Sequence, residues 1–154
     1  MKIIPYSDKY KKTTVKLIIS VLKEEFGFKR TEKLDFDLHH ITEIYQQNKG
    51  NFWLAVEEGE VIGTIALRNY GRQRGYLKRM YVAKNFRETG VADKLLNTLF
   101  KFVRNNGYKK IFLGTVEKMI AANKFYSKRG FKAIKSLPKD LPEFNDTIFY
   151  KLIL

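Results

Sequence analysis

The stretch from Leu77 to Arg104 constrains the fold more than any other part of the chain. An alternating run ends at Val82, a short loop follows, and Gly90 opens directly into a strongly helical pattern. Ala92, Leu95, Leu96, Leu99 and Val103 recur on one face, and Gly107 stands beyond the end as a stop. A strand that turns straight into a long one-faced helix must lay that helix back over a sheet. The chain is therefore predicted to be a layered α/β structure.

The remaining pattern supplies the sheet. Residues 1–6 read as a short strand, with Ser7 and Asp8 as candidate caps for a helix carrying Val15, Ile18, Leu22 and Phe26 and stopping at Gly27. A second, shorter amphipathic segment carries Leu34, Leu38, Ile41 and Tyr45. Phe52–Val56 and Val61–Leu67 flank a Glu58-Gly59-Glu60 turn as a hairpin, and Gly75–Val82 reads as a third consecutive strand. Beyond the long helix, Ile111–Thr115 is a buried strand that leads to a helix with Ala122, Phe125 and Tyr126, ending at Gly130. Phe131–Ile134 and Thr147–Ile153 are the last strands, separated by a loop that holds Pro138 and Pro142. The order β-α-α-β-β-β-α-β-α-β-β implies a mixed, mostly antiparallel sheet of about seven strands with about four helices on its two faces. No repeat, low-complexity tract or linker interrupts it, and 154 residues suit one domain spanning 1–154.

Composition removes several chemistries. With no cysteine, a thiol nucleophile, a disulfide scaffold, an iron–sulfur site and a Cys-zinc site are excluded. His39-His40 has no spaced partner ligands, so no metal is expected. No apolar run approaches the ~20 residues of a membrane span. Met1–Pro5 lacks a secretory pattern, so a cytoplasmic domain without membrane attachment is the expectation. The 30 basic and 16 acidic side chains leave a net charge of +14, which favours an anionic ligand. The bases are dispersed in groups such as Arg72, Arg74, Lys78 and Arg79, and none forms the unbroken run of a nucleic-acid-binding arm. Nucleic acid is therefore not the expected partner.

The loop before the long helix points to the anion. The first N–H groups of a helix have no partner within it, and the helix dipole adds partial positive charge at that end. Gly90 lets a ligand approach closely, while Val91 and Ala92 offer amides without bulk, so the turn suits a phosphate or diphosphate. No Gly-Lys-Ser/Thr follows, and two of the three glycines of a dinucleotide fingerprint are missing.

Taken with a second segment, this loop resembles the GNAT superfamily of acyl-CoA-dependent N-acyltransferases. The form Arg/Gln-x-x-Gly-x-Gly/Ala is matched by Arg87, Gly90 and Ala92, and Ala-x-x-x-Tyr-x-x-x-Gly-Phe by Ala122, Tyr126, Gly130 and Phe131. The element order is similar over nearly the whole chain. The resemblance implies acetyl-CoA as cosubstrate and an amine acceptor, either a small molecule or a peptide. It also implies main-chain pairing of the pantetheine arm with Met80, Tyr81 and Val82. The amides of Arg87, Glu88, Thr89, Gly90, Val91 and Ala92 would hold the diphosphate, and Tyr126 would be the general acid for the departing thiolate. A homodimer is common in such proteins, although no strand here advertises an interface.

Three departures stand out. Glu88 occupies a position that is often glycine, Met119 stands where an asparagine is frequent, and Tyr76, Leu77 and Lys78 replace the acidic base often found on the strand before the loop. Glu117, Glu24 and Glu25 are the candidate bases, with water as a relay otherwise. The first two helices and the hairpin loops would line the acceptor site, where Asp35 and Asp37 could attract an ammonium group or cap the second helix. The missing base keeps a second reading open: a non-catalytic acyl-CoA-binding module on the same fold.

Overall fold

The computed structural model describes residues 1–154. Its elements run β1 (Lys2–Pro5), α1 (Lys11–Ile19), α2 (Glu32–Asp35), α3 (Ile41–Tyr45), β2 (Asn51–Glu57), β3 (Glu60–Asn69), β4 (Arg74–Val82), α4 (Val91–Asn105), β5 (Lys110–Thr115), α5 (Ile120–Lys128), β6 (Lys132–Ile134) and β7 (Ile148–Ile153). The seven strands form one sheet in the order β1-β2-β3-β4-β5-β7-β6. Only β4 and β5 run parallel; every other neighbouring pair is antiparallel. No helix is long and apolar enough to cross a membrane.

The near-continuous apolar runs of β2 and β3 follow from burial on both faces. Trp53 and Ala55 pack with Leu95, Leu96, Leu99 and Val103 of α4. Phe52, Leu54 and Val56 point the other way, onto Ile18 and Leu22 of the first helix and Ile41 and Tyr45 of α3. Each of these fully buried aliphatic side chains stabilises the layers by about 1.5–3 kcal/mol. Gly63 of β3 lets α4 come close: a Cβ there would stand 2.9 Å from Leu95 Cδ1 and 3.2 Å from Val91 Cγ1.

One expectation needs correction. The second amphipathic segment is not one helix. It breaks into α2, a 3-10 turn over Phe36–His39, and α3, which makes five helices in place of four. Polar demand explains the break, because Asp35 is drawn to Arg30 and Asp37 inward to the buried Arg79, and the chain bends to deliver both. The first helix runs as expected to the stop at Gly27 (φ 69°), with its last stretch, Ser20–Glu25, wound as a π-helix.

Candidate active site

The site begins where the sheet splits. β4 and β5 pair for three residues only, Arg74 with Lys110, Gly75 with Ile111 and Tyr76 with Phe112, and then diverge. From Leu77 onward the β5-facing edge of β4 has no strand partner. A cavity of about 920 Å³ fills the fork. Its walls include Tyr76–Tyr81 of β4, Leu113–Val116 from β5, Tyr126 of α5, the segment around Leu34–Asp37, and Pro142–Asp146 of the loop before β7.

A bulge shapes the β4 wall. Thr64 pairs with Tyr81 and Ala66 with Lys78, so three steps on β4 oppose two on β3. Arg79, inside the bulge, takes a left-handed backbone (φ 52°), and its carbonyl accepts the Thr64 hydroxyl at 2.7 Å. This turns the Arg79 side chain into the protein. Its guanidinium donates to Asp37 Oδ2 at 2.9 Å and Oδ1 at 2.6 Å, and to the Leu34 carbonyl at 2.8 Å. Tyr45 adds a hydroxyl to Asp37 Oδ2 at 2.5 Å. Burial by itself would raise the Asp37 pKa, but the Arg79 bonds outweigh it and hold the carboxyl below the usual range.

Asp35 is likewise engaged, accepting from Arg30 Nη2 at 2.5 Å and Nε at 3.2 Å. Both acids expected as possible ammonium attractors are thus spent on internal arginines, and this corrects the acceptor reading of Asp35 and Asp37. The candidate bases fare no better. Glu25 pairs with Arg87 at 2.5 and 2.6 Å, which holds its pKa down. Glu24 accepts the Ser20 hydroxyl, and Glu117 is exposed outside the cavity.

A carboxylate that sequence reasoning missed occupies the opposite wall. Asp146 ends the loop before β7, half-buried, with its side chain over Gly114 of β5. A Cβ at residue 114 would meet its Oδ2 at 2.6 Å, so the glycine is what gives the carboxylate room. No cation or hydrogen-bond donor of the chain reaches it. Burial therefore dominates and pushes its pKa up to about 7, against the opposing pull of Lys78 and Arg79. Lys78 lies over the Phe144 ring, 3.4 Å from the centroid, and burial brings its pKa down to about 8. Nothing local in Asn145-Asp146-Thr147 distinguishes it from an ordinary polar turn; only the fold brings it to the fork.

Tyr126 lines the same cavity at 6% exposure, packed edge-on against Phe131 and tilted against Tyr150. Burial raises its pKa above that of a free phenol, so the hydroxyl keeps its proton at neutral pH. Met80 and Tyr81 also line the cavity, while Val82 lies at the end of β4, paired with Gly63.

Residues 87–90 form a turn beyond that strand end, exposed from Glu88 to Gly90, and lead into Val91 and Ala92 at the start of α4. Glu88 (φ 61°) and Gly90 (φ 89°) are both left-handed, and Gly90 caps α4 without a side-chain bond. None of the main-chain amides from Glu88 to Asp93 finds a hydrogen-bond acceptor in the chain. The Arg87 amide lies outside this set, because it donates to the Lys84 carbonyl at 3.4 Å. The Arg87 side chain braces the turn from behind, donating from Nε to the Val82 carbonyl at 3.0 Å while it grips Glu25.

Comparison with known proteins agrees with this geometry. The sequence profile of the Acetyltransferase (GNAT) family matches residues 16–131. A solved acetyltransferase of the GNAT family from Staphylococcus aureus Mu50 superposes with a TM-score of 0.95 at 34% identity, covering 99% of this chain and 98% of that one. The N-acetyltransferase PaiA from Thermoplasma acidophilum, solved in complex with coenzyme A, shares the fold with a TM-score of 0.78 at 17% identity, over 99% and 98% of the two chains. Among curated proteins, N-acetylaspartate synthetase of Xenopus tropicalis is 38% identical over 100 residues, which is 64% of this chain and 37% of the relative. The chain spans less than half the length of the curated relatives it matches.

Proposed function

Because the chain belongs to the GNAT family of acetyltransferases, we propose that it transfers the acetyl group of acetyl-CoA to the primary amine of a small acceptor that also carries a carboxylate. The amine attacks the thioester directly, without a covalent enzyme intermediate. The observation that carries this reading is the run of unpartnered amides from Glu88 to Asp93, which follows the strand that forms one side of the forked sheet. Such amides suit a diphosphate, and the unpaired edge of β4 suits an extended amide-bearing arm.

The residues divide the work. The amides of Glu88, Thr89, Gly90, Val91 and Ala92 bind the diphosphate, while the main chain of Met80, Tyr81 and Val82 pairs with the pantetheine arm. Arg87 acts as a brace through its side chain. The bulge directs a main-chain N–H at the thioester carbonyl, a contact that strengthens as negative charge develops. Tyr126, kept protonated by burial, donates a hydrogen bond to the departing sulfur and gives up its proton only as the C–S bond breaks and the nitrogen's proton replaces it. Holding amine and thioester in one cavity supplies much of the remaining acceleration.

The charge of the cavity supports the acceptor class. Lys29, Lys33, Arg68 and Lys78 line it without an ion-pair partner, whereas Glu143 and Asp146 are its only unpaired acids. A polycationic acceptor would meet repulsion there, and an amino acid would find cations for its carboxylates. The similarity to proteins named N-acetylaspartate synthetase points the same way. The test combines calorimetry with coenzyme A and acetyl-CoA turnover on L-aspartate, L-glutamate, glycinamide, spermidine and kanamycin. Binding together with fastest turnover on the amino dicarboxylates is the expected result. Preference for spermidine or kanamycin would overturn the acceptor class. Binding without turnover on any amine would favour a non-catalytic acyl-CoA-binding module.

A further inference from the structure

We propose that Asp146 is the general base of this site, accepting the proton that the acceptor's ammonium must lose before it can attack. The inference rests on the acetyl-transfer reading above. It starts from the one acid of the fork that is both held in place and left free to react.

The holding is done by main chain. The Asp146 amide donates to the Glu143 carbonyl at 2.9 Å, and the next amide, of Thr147, donates to Thr115 at the end of β5, also at 2.9 Å. These bonds fix the end of the loop against β5, and the missing side chain at Gly114 provides the seat for the carboxylate. Freedom to react follows from what faces it. From β4 come Tyr76, Lys78 and Arg79, from α5 comes Tyr126, and from its own loop comes Glu143. None forms an ion pair or hydrogen bond with it; Arg79 is committed to Asp37, and the Lys78 ammonium lies over Phe144. The other cavity acids are the saturated Asp37 and the exposed Glu143.

The protons balance. An acceptor ammonium carries two protons more than the amide product requires. Asp146 accepts one and passes it to water. The other leaves the nitrogen as the C–N bond forms and the C–S bond breaks, and it replaces the proton that Tyr126 gives to the sulfur. The products are the acetylated amine, coenzyme A thiol and one proton in solution. Asp146 and Tyr126 thus stand on one cavity as acceptor and donor of protons.

The experiment compares wild type with Asp146→Asn, using the panel amine that the wild type acetylates fastest. In the wild type, kcat/KM is expected to rise with pH to a plateau above about pH 7 as the carboxyl ionises. The variant is expected to lose about 10²-fold or more in kcat/KM and to lose that limb, while a limb from the substrate's own ammonium persists. Calorimetry with coenzyme A shows whether the variant's site is intact, and unchanged affinity is expected. Gly114→Ala, whose methyl would overlap the carboxylate, is expected to lower kcat in the same direction. An Asn variant with full turnover and an unaltered limb would overturn the role of Asp146 and leave the acetyltransferase reading standing. A wild type that binds acetyl-CoA and acetylates nothing would overturn both.

Discussion

Asp37 and Asp146 line one cavity and have opposite fates. Asp37, 8% exposed, receives two bonds from Arg79 and one from Tyr45, so its charge is compensated and its oxygens are occupied. Asp146 receives none, and burial makes its charge costly near neutral pH. One wall of the fork is therefore scaffold and the other is the one proposed to react, although both present the same residue type. The difference teaches that a carboxylate's role is decided by the groups that face it. It also explains why Asp37, the more conspicuous acid of the two, cannot serve an acceptor's ammonium.

The strongest way to break this comparison is to remove the partner on the scaffold side. Arg79→Met leaves Asp37 buried without its cation, and the expected loss is about 3–5 kcal/mol of folding stability in urea denaturation. Arg79→Met combined with Asp37→Leu is expected to recover part of that loss, because the orphaned charge is gone. A single variant that cost less than about 1 kcal/mol would show that the pair is not what closes this wall.

The two acids also predict pH effects of opposite sign. The Asp37 carboxyl is held below its unfolded value near ~3.9, so its stabilisation is present above that pH and is lost as pH falls below it. Asp146 is raised to about 7. Between about pH 4 and 7 the unfolded chain has released this proton while the folded chain still holds it, so stability declines as pH rises through that window. Asp146→Asn is therefore expected to be more stable than wild type at pH 7.5 and closest to it near pH 4. Parallel stability curves for the two proteins would place Asp146 in an ordinary solvated environment.

On the reactive side, Tyr126→Phe is expected to lower kcat by about 10²-fold with coenzyme A affinity unchanged in calorimetry. The variant removes the hydroxyl proposed as the proton donor, while the ring that packs against Phe131 and Tyr150 remains. Undiminished kcat would return the tyrosine to a packing role and leave the reactive wall with a base and no acid.

Much of this architecture is legible in the sequence because its signals are local. The two-sided burial of β2 and β3, the amphipathic face of α4, and the glycine that opens it each lie within a few residues of what they determine. The paired roles across the fork are not local. Arg79 reaches Asp37 over 42 residues, and the bulge that turns it inward leaves no mark in Lys78-Arg79-Met80. Asp146 is placed over Gly114, 32 residues away in the chain, by the pairing of β7 with β5. A charged side chain read in isolation is best placed in solvent, so nothing local marks Arg79, Asp37 or Asp146 for the interior.

A third carboxylate sharpens the comparison at its weak end. Glu25 is paired as tightly as Asp37, by two bonds to Arg87, but the pair stands near solvent, where water and salt screen the attraction. Glu25→Gln is expected to change stability by no more than about 1 kcal/mol, well below the loss expected for the buried pair. Its effect should be visible in ligand binding instead. Arg87 keeps its bond to the Val82 carbonyl, and the turn stays braced. Its guanidinium loses a neutralising neighbour beside the free amides of residues 88–93. Coenzyme A should bind slightly more tightly at low salt, with the gain vanishing at high salt as screening removes it. If binding weakened instead, Glu25 would be holding the turn in shape and the brace would depend on the ion pair, not on the Val82 bond.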